Sequence, residues 1–229
     1  MTDVAPTTRQ WLPPLLKPFS WTLRNQAWAA LFVILSLNAV LLGGILVLEF
    51  RYDIDHWNLV RDTNAVAGQP AYYGSYSNLG VLIWAAASAI TLFSWWLLTH
   101  RGIRDTRWRV LLLGGLFTAI ACIDDLFMLH EHAHLVGVPE TIVLAGYAAF
   151  LIAFVISTLP ILHTTQWLLL GVALACLALS TLSDLLEFRG SVLLEEAFKL
   201  SGISMLAAYL VTLSFSAIAA VGGKPKTIA

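Results

Sequence analysis

The stretch that decides the fold is Val110–His134, which reads VLLLGGLFTAIACI and continues directly into DDLFMLHEHAH. The first part is uncharged and apolar, whereas the second holds two aspartates, one glutamate and three histidines. About 20 predominantly apolar residues are enough to cross a bilayer as an α-helix. The stretch therefore predicts a membrane helix that carries a cluster of ionisable side chains at one end.

The composition extends this prediction to the whole chain. Hydrophobic residues make up 59% of the 229 residues and charged residues only 12%, about half of the charged share in an average soluble domain. Six apolar runs predict an all-α, polytopic integral membrane protein with a six-helix membrane domain over residues 27–221. The predicted spans are about 27–49, 78–99, 109–130, 140–162, 166–187 and 193–221. The one long connection, 50–77, is predicted to form an extracytoplasmic loop.

Basic residues predict the orientation of the spans. Nine of the thirteen lysines and arginines fall on one side of the predicted membrane, and the positive-inside rule makes that side cytoplasmic. They are Arg9, Lys17, Arg24, Arg101, Arg104, Arg107, Arg109, Lys224 and Lys226. We therefore expect an N-in, C-in protein of the plasma (bacterial inner) membrane, with an interfacial tail at 1–26 and a cytoplasmic tail at 222–229.

The net charge of −1 provides no basic footprint for a nucleic acid. We expect membrane lipids and a membrane-resident peptide or lipid substrate as partners, and no nucleic acid. The sequence leaves the oligomeric state and membership of a larger complex open.

The predicted topology brings the ionisable residues of three spans to the outer side of the membrane. Seven carboxyl groups meet there, against two fixed cations, Lys199 and Arg189. An ionised acid inside a bilayer costs at least about 2.5–3.5 kcal/mol, so this excess indicates protonation, hydration or a bound cation. The acids are Asp124, Asp125, Glu131, Asp184, Glu187, Glu195 and Glu196.

Part of this cluster is an H-E-x-x-H motif formed by His130, Glu131 and His134. On one continuous helix, residues four apart face the same side, so both imidazoles could bind one zinc ion. Glu131 would then accept a proton from the attacking water. The motif resembles the signature of zinc metallopeptidases, including membrane-embedded forms, and the resemblance implies a third ligand from a later helix. Candidate metal ligands besides the two histidines are Asp184, Glu187, Glu195 and Asp124, and Asp125, His132 and Glu196 are expected to line the site.

The leading hypothesis is a membrane-embedded, metal-dependent hydrolase that acts on a membrane peptide or on a lipid amide or ester. Zinc is the expected cofactor and iron the alternative. Lys199 would stabilise a developing oxyanion or bind a lipid headgroup. Intramembrane ionisable residues indicate a functional site by default.

Four alternatives stay open at the level of sequence. Glu131 and His134 form an E-x-x-H pair that could belong to a carboxylate-bridged di-iron site. The segment EEAFK resembles the E-E-x-x-K motif of a family of membrane-embedded glutamic proteases, although Glu195 and Lys199 also fit an i,i+4 salt bridge. A cation or proton transporter would use acids on several helices as a relay. A non-catalytic subunit of a larger membrane complex is the fourth possibility.

Overall fold

A computed structural model describes residues 21–60, 63–185 and 191–222. Within these ranges the chain forms α-helices and short 3-10 helices and contains no β-strand, which confirms the all-α prediction. The chain divides into two compact units, one ending at Tyr73 and the other beginning at Gly74. Of the interfacial tail predicted at 1–26, residues 1–20 lie outside the described residues and residues 21–26 form the start of α1. Of the tail predicted at 222–229, only the first residue is described, as the end of α9.

The first unit consists of one long helix and two short ones. Helix α1, Trp21–Tyr52, has 32 residues and contains the whole of the predicted span 27–49. Helix α2, His56–Val60, contacts α1, and α3, Thr63–Val66, follows it. The predicted loop 50–77 is therefore partly helical.

The second unit contains six α-helices in the described ranges. They are α4, Ser75–His100; α5, Thr106–Phe127; α6, Leu129–His132; α7, Glu140–Thr158; α8, Trp167–Leu185; and α9, Ser191–Gly222. One 3-10 helix, Ala133–Val136, follows α6, and another, Leu159–Thr164, continues α7.

Four helices of the described chain are long and apolar enough to cross a membrane. They are Ser75–His100, Thr106–Phe127, Glu140–Thr164 and Val192–Ala220. The predicted span 166–187 corresponds to α8, whose apolar part, Trp167–Ser183, is shorter. Large apolar side chains such as Leu82, Phe93 and Phe215 are exposed on these helices. Such an extensive apolar surface is typical of helices that face lipid.

Helix α9 packs against α4, α5 and α8, and α5 also packs against α4 and α7. Fully buried side chains of this core include Leu111, Phe154 and Tyr209. Helix α5 approaches its neighbours closely through two adjacent glycines. A Cβ atom added to Gly114 would lie 2.6 Å from the Leu210 side chain, and one added to Gly115 would lie 2.6 Å from Leu92. Small residues at helix interfaces allow this close packing.

Candidate functional site

Helix α5 ends at Phe127, three residues before the H-E-x-x-H motif begins. Met128 adopts the left-handed conformation, with φ 49° and ψ 45°, and its N–H donates to the Asp124 carbonyl. This conformation costs a non-glycine residue roughly 1–2 kcal/mol. His130 therefore lies in the four-residue helix α6, and His134 lies in the following 3-10 helix. The expectation of one continuous helix through His134 is wrong, because the chain turns at Met128.

The turn folds His130 back onto Asp124. The Asp124 side chain is buried, and its Oδ1 accepts the His130 backbone N–H at 2.9 Å. Its Oδ2 lies 2.6 Å from His130 Nδ1. Both carboxylate oxygens are therefore hydrogen-bonded, which offsets the cost of burying the group. When Nδ1–H donates to the carboxylate, a neutral imidazole presents Nε2 as a base or a metal ligand.

The other two histidines of the segment are oriented in a similar way. His134 Nδ1 lies 2.8 Å from the Glu131 carbonyl, and His132 Nδ1 lies 2.9 Å from the Met128 carbonyl. Metal-binding histidines commonly direct one ring nitrogen to a carboxylate or a backbone carbonyl and bind through the other. The Glu131 carboxylate is exposed, and its Oε1 lies 4.0 Å from His130 Nε2. In all three imidazoles the short contact is thus made by Nδ1 and not by Nε2.

The described side chains do not converge into a three-ligand site at the motif. A metal site would need at least three His, Cys, Asp or Glu side chains whose ligand atoms lie close together. Among the described residues, only Glu49, Asp55 and His56 have ligand atoms within 4.8 Å of one another. A hydrogen bond of 2.7 Å between His56 and Glu49 accounts for that closeness, and the group is largely exposed. The candidate ligands Asp184, through its side chain, and Glu187 lie outside the described residues.

Asp125 connects three helices through a second polar network. Its Oδ2 accepts the Trp84 Nε1–H of α4 at 3.0 Å, and its Oδ1 lies 3.0 Å from Lys199 Nζ of α9. The Asp125 side chain is 11% exposed and that of Lys199 29%. Glu195 and Glu196 also attract the ammonium group. Lys199 therefore has an ion pair across the helix interface in addition to its acidic neighbours on α9.

Both networks border one cavity of about 150 Å³. Its lining combines apolar side chains with two carboxylates, a phenol and an ammonium group, and α4, α5, α7, α8 and α9 all contribute. The lining residues are Trp84, Phe117, Ala121, Asp124, Asp125, Tyr147, Leu177 and Lys199. The Tyr147 hydroxyl shares this cavity with the Asp124 carboxylate, which is close enough to interact with it electrostatically. A cavity of this size holds a few waters or one small polar group.

Sequence reasoning missed Trp84 and Tyr147 as members of the site. Tyr147 is the only hydroxyl-bearing residue between Ile142 and Ile156, and Trp84 lies well inside α4 rather than at its ends. These two positions were the features of the sequence from which the two residues could have been proposed as members of the site. Glu196 borders a smaller space of about 10 Å³ beside Asp125 and Lys199.

The comparison with protein families places this chain in one of them. A family model described as "Domain of unknown function (DUF8692)" matches residues 19–213, so the chain belongs to that family. No curated protein and no solved structure matches the chain.

Proposed function

We propose that this member of the DUF8692 family is a membrane-embedded, metal-dependent hydrolase that acts on a membrane peptide or on a lipid amide or ester. The observation that carries the proposal is the Asp124–His130 pair. A buried carboxylate fixes the imidazole through Nδ1 at 2.6 Å, which leaves Nε2 for a metal ion or a proton. The proposal includes six spans, N-in and C-in, with the site near the outer leaflet of the plasma membrane.

In this proposal His130 and His134 bind zinc through their Nε2 atoms. The third ligand comes from the end of α8, where Asp184 lies in the last turn and Glu187 follows. The segment 129–136 must bring both Nε2 atoms to the same ion. Zinc at this position would supply a water that is nucleophilic near neutral pH.

The remaining polar groups have roles that follow from their positions. Glu131, whose carboxylate lies 4.0 Å from His130 Nε2, would accept the proton of the attacking water. Lys199 contacts Asp125 and borders the cavity, and an ammonium group has three N–H donors. Its further donors therefore serve for the oxyanion of the substrate or for a lipid phosphate.

Metal analysis of the purified full-length protein after incubation with zinc tests the proposal. We expect about one zinc per chain in the wild type and none in His130→Ala or His134→Ala. His132→Ala is the matched control, because it removes a neighbouring imidazole that the proposal does not use, and it should retain the metal. Asp124→Asn should weaken zinc binding by about 10–100-fold, since it removes the charge that orients His130.

Two results would overturn the zinc hydrolase. One is a wild-type protein that binds no zinc in the presence of excess metal, and the other is equal loss of zinc from the His132→Ala control. Iron at about two per chain would favour the di-iron alternative instead.

A non-catalytic subunit of a larger membrane complex is the second candidate function. It is favoured by the Asp125–Trp84–Lys199 network, in which the carboxylate has partners on two other helices without any ligand. Under this alternative the network holds α4, α5 and α9 together and the protein binds no metal. The zinc measurement on the wild type separates the two candidates.

A further inference from the structure

We propose that a cavity at the turn between α4 and α5 binds the phosphate of an anionic phospholipid headgroup. We call residues 101–109, which comprise this turn and the first residues of α5, the arginine turn because they contain four arginines. The cavity has a volume of about 300 Å³. It is lined by Leu98, Arg101, Ile103, Asp105, Arg107, Ala217 and Ala220.

Backbone hydrogen bonds hold the arginine turn in place at the end of α4. The Arg101 N–H donates to the Leu97 and Leu98 carbonyls at 3.1 Å. Gly102 adopts a positive φ of 71°, and the Ile103 N–H then returns to the Leu98 carbonyl at 3.0 Å. The first arginine of the cavity is therefore carried by a defined turn.

The arginines of the turn have no carboxylate partner within the described residues. None of their guanidinium nitrogens lies within 4.0 Å of an acidic oxygen in those ranges. Asp105 borders the cavity, but its Oδ1 accepts the Trp108 N–H at 3.0 Å and caps α5. Arg101 and Arg107 thus line one cavity without an ion pair to its single acid, Asp105, and the lining keeps a net positive charge.

The ligand chemistry follows from this combination of charge and apolar surface. A guanidinium group donates two parallel hydrogen bonds to a phosphate, and two such groups suit a phosphodiester. Ala217 and Ala220 also line the cavity, and they lie near the end of a helix that is long and apolar enough to cross a membrane. Basic pockets between membrane helices bind anionic headgroups in this way. An apolar wall beside the phosphate site favours a lipid over free phosphate.

The proposal does not rest on the hydrolase. It is tested by native mass spectrometry of the full-length protein in detergent, with phosphatidylglycerol, phosphatidylcholine or inorganic phosphate added. We expect the wild type to retain phosphatidylglycerol in preference to phosphatidylcholine. Each basic group near an anionic headgroup contributes roughly a factor of five in affinity, so Arg101→Gln/Arg107→Gln should weaken phosphatidylglycerol binding by about thirtyfold.

Arg104→Gln/Arg109→Gln is the matched control, because it removes the same charge from the same turn at residues that do not line the cavity. Arg104 instead lies over the Trp108 ring, at 6.0 Å from the ring centroid. This pair should bind phosphatidylglycerol to within about threefold of the wild type. Arg101→Lys/Arg107→Lys keeps the charge without the forked donors and should give an intermediate affinity.

Three outcomes would overturn the proposal. Equal losses in the two glutamine pairs would indicate attraction by the surface charge alone, and equal retention of the two lipids would exclude recognition of the anionic headgroup. Displacement of phosphatidylglycerol by millimolar inorganic phosphate, with phosphate itself retained, would make the ligand a free anion. The thermal unfolding temperature of each variant, measured in the same detergent, separates a change in binding from a change in folding.

Discussion

The charged residues at the two ends of α5 differ in whether they have partners inside the protein. At its last turns, Asp124 and Asp125 are both partnered inside the protein, one by His130 and the other by Trp84 and Lys199. Around its start, the arginine turn carries four guanidinium groups, and none of them has a carboxylate partner among the described residues. The acidic residues at the end of α5 thus have partners inside the protein, whereas the basic residues around its start have no carboxylate partner among the described residues.

This difference follows from burial. A charged group removed from water needs a partner of opposite charge and hydrogen bonds, or the fold loses several kcal/mol. Asp124 is 5% exposed, whereas Arg101, Arg104 and Arg109 are exposed. The acidic end therefore contributes to holding helices together, and the basic end remains available to a partner from outside the chain.

The largest expected effect comes from removing one charge at the acidic end. Lys199→Met leaves the Asp125 carboxylate, 11% exposed, without its cation. Breaking a buried ion pair on one side lowers the free energy of unfolding by about 3–5 kcal/mol, and Lys199 is partly solvated, so we expect the lower part of that range. Unfolding of the purified protein in detergent by increasing SDS measures the loss.

The control for this prediction lies at the opposite end of α5. Arg107→Gln removes a charge that has no acidic partner among the described residues, and it should change the free energy of unfolding by less than about 0.5 kcal/mol. The double variant Asp125→Asn/Lys199→Met should recover much of the loss, since neither charge then remains buried alone. If Lys199→Met and Arg107→Gln lowered the free energy of unfolding equally, the two ends of α5 would not differ in how much their charges stabilise the fold.

A smaller effect is expected between the two ends, where α5 meets α4. A Cβ atom at Gly115 would lie 2.6 Å from the Leu92 side chain and 3.3 Å from the Leu92 backbone nitrogen. Gly115→Ala should therefore lower the free energy of unfolding by about 1–3 kcal/mol through overpacking. Gly146 on α7 has nothing within 4 Å of the same position, so Gly146→Ala should be neutral or stabilise by up to about 1 kcal/mol. SDS unfolding of the two variants side by side provides the comparison, and a destabilised Gly146→Ala would argue against this packing.

Much of this architecture could be predicted from the sequence, because apolar runs of membrane length fix the class of fold. The sequence also indicated Asp124 as a candidate site residue inside the membrane, and the structure buries this acid and pairs it with the partly buried His130. The predicted span 166–187 corresponds to α8, Trp167–Leu185, whose side chains are described only as far as Ser183, so its full apolar length stays a prediction.

The site itself could be predicted only in part. The turn at Met128 was not visible, because neither glycine nor proline marks it; it is Asp124 that binds the following backbone and imidazole. The pairing of Lys199 with Asp125 depends on how α9 packs against α5, which spacing along one helix cannot show. Spacing alone suggested the neighbour on the same helix, Glu195.

The smallest expected effect concerns the exposed counterpart of the Asp124–His130 pair. Glu49 Oε1 lies 2.7 Å from His56 Nδ1, and this hydrogen bond, together with the negative charge, raises the pKa of His56 above its ordinary value of about 6.5. The pair therefore stabilises the fold fully below about pH 6.5, and the contribution is lost as the pH rises through the raised pKa. Glu49→Gln should return the pKa of His56 towards 6.5, as measured by NMR titration of histidine-labelled protein.

Asp55→Asn is the control for this prediction. It removes a weaker attraction at 3.6 Å and should lower the pKa of His56 by less than Glu49→Gln does. An unchanged pKa of His56 in Glu49→Gln would contradict the pairing. Because the His56 side chain is 55% exposed and solvent screens the pair, neither variant should change the unfolding transition as Lys199→Met does.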